Sequence, residues 1–235
     1  MTSQHPTRRT ASQRNQATRA DTRDDPNMTG HDTGRLLAFT DGVFAIAITL
    51  LVLTLLNLQL PPTQSATRDN VTHALQHGWP IYLTYVFSFA SILIMWIYHH
   101  RLFQSVQRAD TVLLFSNGFL LLLVSMAPFP TSLVGAYLMT PAASVACAVY
   151  AGFFALIDLA YNLLWWVVLR QHAAGARPIR FTTSVLISFA GFPCYVIAAI
   201  VAFVSPALTL VICAGLWVVW AITAHTLRGE LVAIT

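Results

Sequence analysis

Ionised side chains are scarce in this sequence, and the few that interrupt its long apolar runs mark where chemistry would have to occur. Arg35 and Asp41 open the first such run, with Asp41 more than a turn inside it. An ionised carboxylate at that depth costs several kcal/mol unless it is paired or hydrated. The two are separated by about 240° around a helix, so they cannot meet along one face. Two readings follow. Asp41 rests at the interface, favoured by the positive helix start, while Arg35 snorkels. Alternatively, a partner on another helix holds Asp41 in a buried polar network. The partners on offer are Arg101 and the adjacent His99 and His100, at the end of the second apolar run.

Other chemistry is weakly supported. His99 and His100 project about 100° apart on a helix, poorly placed to chelate one metal. A hydrogen-bonded structural role with Asp41 or Arg35 outweighs a haem or zinc site, and ordinary histidine titration leaves a pH-sensitive role open. Asp158, with Tyr161 and Asn162, lies inside the fourth run and reads as helix–helix hydrogen bonding. Ser88, Ser116 and Ser125 have no G-x-S-x-G context and no histidine at matching depth, so no catalytic residue is assigned. Cys147, Cys194 and Cys213 all fall in apolar runs, giving neither a disulfide framework nor a zinc site. The chain reads as a non-enzyme without metal or cofactor.

The elements that must position these residues are membrane spans. Of 235 residues, 56% are hydrophobic and 9% charged, whereas a soluble domain is about a quarter charged. A helix needs roughly 20 apolar residues to cross a bilayer. Stretches 36–58, 79–100, 110–131, 143–169, 181–204 and 206–227 meet that length, separated by Pro61-Pro62, Pro128 and Pro130, Pro141, Gly175 and Pro178, and Ser205-Pro206. The predicted fold is all-α, integral to the membrane, with six spans.

Basic residues set the orientation. One side receives Arg8, Arg9, Arg14, Arg19, Arg23, Arg35, Arg101, Arg108, Arg170, Arg177, Arg180 and Arg228, and the other only Arg68, a split of twelve to one. Cytoplasmic loops carry the excess, so both termini are expected in the cytoplasm. Residues 1–34 mix arginine and aspartate with few apolar side chains and read as a disordered cytoplasmic tail, leaving 35–235 as the membrane unit. The interspersed aspartates and missing aromatics argue against a nucleic-acid partner.

The first run also carries a stripe. Ile46, Thr49, Leu53 and Asn57 recur at spacings of three, four and four, which places them on one helix face. Copies arranged around an axis would stack apolar rings able to constrict a pore, with a threonine ring offering oxygens to a cation. The alternative is that Thr49 merely bonds its own backbone.

At this point two strings carry a resemblance. Arg35-x-x-x-Phe39-Thr40-Asp41 and the apolar sequence after it resemble the R-x-x-x-F-S-D signature of the transmembrane protein 175 family of potassium channels, with Thr40 keeping the serine hydroxyl. Trp96-x-x-His99-His100-Arg101-Leu102-Phe103 is similar to that family's second helix. The resemblance implies six-helix units around a central pore lined by the first helix. No second signature occurs after residue 100, so it implies a homotetramer in a prokaryotic inner membrane. It also implies pore and gate residues Ile46, Leu50 and Leu53, selectivity at Thr49, and potassium as the permeant ion. Selectivity over sodium is expected to be modest. The rival expectation is a small secondary transporter or a cation or proton leak pathway.

Overall fold

The computed structural model describes residues 26–106, 108–174 and 183–232, with side chains over 33–106, 108–171 and 189–223. Every regular element among them is helical. Helix α1 runs Pro26–Leu50 and tightens into a 3-10 stretch, Leu51–Asn57. Short α2, Arg68–His77, lies between it and α3, Trp79–Gln104. Then follow α4, Thr111–Met126, α5, Pro128–Tyr137, α6, Ala143–Ala174, α7, Thr183–Val201, and α8, Pro206–Val232.

Five of the resulting helical segments are long and apolar enough to cross a membrane: Thr33–Asn57, Trp79–Gln104, Thr111–Tyr137, Ala143–Gln171 and Pro206–Thr223. Within α7 the apolar part that can be described is Phe189–Val201. Phe115, Leu122, Ile200 and Val211 point outward, as lipid or a neighbouring protein surface requires.

Helix α6 is the hub, packing against α4, α5, α7 and α8. It buries Cys147, Tyr150, Phe154, Ile157, Tyr161 and Leu164. Small residues Ala151, Ala155 and Ala160 on the same helix are buried too, allowing close approach. Polar side chains join the layers. Thr131 donates to Ser88 Oγ at 2.6 Å, and Ser88 and the Tyr150 hydroxyl are 3.2 Å apart. That relay of hydroxyls through Ser88 ties α5, α3 and α6 together and engages Ser88 structurally. At the other end, Gln171 donates to the Arg108 carbonyl and the Asp110 carboxylate, while Asp110 caps α4 by accepting from the Leu113 N–H at 2.8 Å.

Helix α1 begins at Pro26, a residue suited to a first helical turn, and residues 1–25 lie outside the described set. Two sequence expectations are corrected. The prolines of the third run do not end it at 131. Pro128 stands in the first turn of α5, where its missing N–H is tolerated, and the same apolar segment continues to Tyr137. Asn57 leaves the stripe, for a reason found in the helix period.

Candidate functional site

Along α1 the side chains divide into two faces. Thr40, Phe44 and Ala47 are buried against α3 and α4, and Leu51 and Thr54 of the 3-10 stretch continue that buried line. Arg35, Phe39, Gly42, Ile46, Thr49, Leu50 and Leu53 are exposed on the other side. That exposed face is apolar for most of its length: Phe39 is 63% exposed, Ile46 60% and Leu53 53%. Among the described residues, none covers it.

The change to a 3-10 helix decides which residues finish each face. A 3-10 turn has three residues, so i and i+3 eclipse. Leu51, Thr54 and Asn57 therefore align on the inner side, and Leu53 and Leu56 on the outer. The Thr54 hydroxyl donates back to the Leu51 carbonyl at 2.7 Å, and the Asn57 amide donates to the Ser132 hydroxyl on α5. An amide ring on the outer stripe is thereby ruled out: Asn57 turns toward its own bundle.

Thr49 has a local bond as well. Its hydroxyl donates to the Ile46 carbonyl at 2.8 Å while the side chain stays exposed. Donating its only proton to the backbone leaves the oxygen as an acceptor. The hydroxyl therefore offers lone pairs, the chemistry a partly dehydrated cation needs.

The inner face is fastened by a buried amide. The Asn117 side chain, on α4, donates through Nδ2 to Thr40 Oγ1 at 2.8 Å, and its Oδ1 lies 2.8 Å from His99 Nε2. With the amide in that orientation, Nε2 must carry the hydrogen. Thr40, Asn117 and His99 are all essentially sealed from solvent. His99 also stacks on Phe103, ring centroids 4.2 Å apart. One residue from each of three helices thus meets at a single bridge.

Asp41 is held beside it. Trp96 donates its indole N–H to Oδ1 at 2.8 Å, and His100 Nδ1 lies 3.7 Å from Oδ2. Asp41 and His100 are each more than a third exposed, so this pair is weak electrostatically. The indole bond is the shorter and better defined of the two. Arg35 is exposed on α1, and the structure does not bring it to Asp41. Among the sequence candidates, His99 and His100 are thus separated: His99 joins Thr40 through Asn117, and His100 joins Asp41. Asn117 was not singled out from sequence, since one asparagine in an apolar run has no spacing to flag it.

Asp158 lies elsewhere. It is buried on α6, accepts from Asn162 Nδ2 at 3.1 Å one turn on, and packs against Gly191 of α7. A cavity of about 40 Å³ adjoins it, lined by Ser91, Tyr98, Tyr161, Tyr195 and Trp217 among others.

A family model described as "Endosomal/lysosomal potassium channel TMEM175" matches residues 35–128, a stretch containing Arg35, Asp41, Thr49, His99 and Asn117. The chain is 48% identical over 145 residues to a potassium channel of Chamaesiphon minutus, covering 62% of this chain and 68% of that one. It is 40% identical over 191 residues to a potassium channel of Streptomyces collinus, covering 77% of this chain and 87% of the relative. The crystal structure of a lysosomal potassium-selective channel TMEM175 homolog from Chamaesiphon minutus superimposes with a TM-score of 0.71. That match has 39% identity and covers 83% of this chain and 98% of the other.

Proposed function

Because this chain belongs to the TMEM175 family of potassium channels, we propose that it conducts potassium passively across a cell membrane, through a pore lined by the outward face of α1. One observation carries the pore assignment. The helix with the signature is fastened to its bundle on one side and leaves its other side, from Phe39 to Leu53, uncovered. One such helix cannot enclose a pore. A single signature per chain calls for four subunits, each contributing its α1 to a common axis.

Each subunit crosses the membrane six times in this reading: α1 with its 3-10 extension, α3, α4 with α5, α6, α7 and α8. An even number of crossings and the arginine distribution support a topology with both termini in the cytoplasm. Residues 35–235 act as the channel subunit, and the residues before it as a cytoplasmic extension. Ile46, Leu50 and Leu53 supply apolar rings that constrict the path and gate it by dewetting. Thr49 supplies the one polar ring between them, with lone pairs toward the axis and no fixed charge. An uncharged hydroxyl ring replaces part of a hydration shell without trapping the ion, so selectivity over sodium is modest. The attachments of Thr40 to α4 and of Asp41 to α3 set the pose of the pore helix, with Arg35 and Phe39 of the same signature lying at the start of its outward face.

The test is planar-bilayer recording of the purified protein under opposed potassium and sodium gradients. The reversal potential should favour potassium. Thr49→Ala should lower the potassium-to-sodium permeability ratio, and Ile46→Asn should raise leak current. Saturable, coupled flux would identify a transporter instead, and two variants conducting like the parent would mean that the pore helix is misassigned.

A further inference from the structure

Outside the apolar spans, α2 carries His73 and His77 one turn apart, both exposed, with rings stacked at a centroid distance of 3.7 Å and 20° between planes. His77 Nδ1 lies 3.0 Å from the His73 carbonyl oxygen. A carbonyl only accepts, so Nδ1 carries the hydrogen and Nε2 keeps a free lone pair. A ligating histidine is commonly held this way, one nitrogen donating to a carbonyl and the other meeting the metal. Histidines at i and i+4 also have the spacing by which helical pairs bind zinc.

We propose that His73 and His77 form a surface site for a transition-metal dication of the zinc, nickel or copper class, completed by water. Two neutral imidazoles suit those ions and not magnesium or calcium, which take oxygen ligands. The stacked rings must splay for both Nε2 atoms to reach the metal at about 2.0–2.1 Å. Rotation of exposed side chains permits this. Asp69 stands a further turn toward the start of α2, adding negative charge on the same side. No group of three histidine, cysteine or acidic side chains among the described residues is placed to hold a metal, so the site has two protein ligands and is open to exchange. Helix α2 is followed by Gly78 at its C-cap, where an added Cβ would meet Leu58 just beyond the first span. Metal on His77 therefore sits next to the join between the first span and α3.

Zinc chloride titrated calorimetrically into the full-length purified protein tests this, with His73→Gln and His77→Gln as variants. Either substitution should weaken one zinc site per subunit at least as much as losing an outer-shell partner does, about 10–100-fold. Both positions are exposed, so both variants should melt as the parent does without zinc. A zinc titration identical in parent and both variants, binding or not, would overturn the proposal. The readout is independent of ion conduction.

Discussion

Asn117→Leu removes a side chain that joins α1, α3 and α4, with little change in volume. Two bonds of 2.8 Å are lost, to Thr40 and to His99. Hydrogen bonds between helices in a membrane contribute about 0.6 kcal/mol on average and up to about 1.7. The pair should therefore cost about 1–3 kcal/mol. The upper half of that range is expected, because His99 would be left buried with neither ring nitrogen paired. Equilibrium unfolding in mixed micelles measures the cost, and a cycle with Thr40→Val separates the bridge from general repacking. In the cycle, removing Thr40 should cost less once Asn117 is gone, with a coupling of about 0.5 kcal/mol or more. Strict additivity, or an Asn117→Leu variant as stable as the parent, would refute the bridge.

Other perturbations test the neighbouring contacts. Trp96→Phe, which removes the indole bond to Asp41, should destabilise by about 0.6–1.7 kcal/mol in the same assay. His100→Gln should cost no more than about 1 kcal/mol, since its ring nitrogen stands 3.7 Å from Asp41, beyond hydrogen-bond distance, and both side chains are only partly buried. Gly191→Ala would set a Cβ 2.6 Å from Trp220 and 2.8 Å from the Asp158 carboxylate. Overpacking of that kind costs about 1–3 kcal/mol, and Asp158→Ala in the same chain should recover part of it.

The spans and the special character of α1 are legible because hydropathy and charge act locally. Asp41's need for a partner follows from its depth in an apolar run, and the second apolar run supplies one in Trp96, whose indole N–H lies 2.8 Å from the carboxylate. Asn117 is invisible for the opposite reason. Its bond to Thr40 spans 77 residues of sequence, and only the packing of α4 against α1 creates it. The stripe was readable to Leu53 and failed at Asn57. Leu51-Val-Leu-Thr-Leu-Leu-Asn57 is apolar at nearly every position, so its composition is silent on whether it winds with 3.6 or three residues per turn. Pro128 misleads similarly, since a proline that ends one helix serves equally well in the first turn of the next.

The central claim is that the uncovered face of α1 borders the ion path, and cysteine accessibility tests it most directly. Cys147, Cys194 and Cys213 are first replaced, and single cysteines are then placed along α1 while current is recorded with a small cationic thiol reagent. Cysteine at Ile46, Thr49 or Leu53 should be modified with loss of current, whereas cysteine at Phe44, Ala47 or Leu51 should not respond. Block at the buried positions, or at none of the exposed ones, would contradict a pore lined by this face.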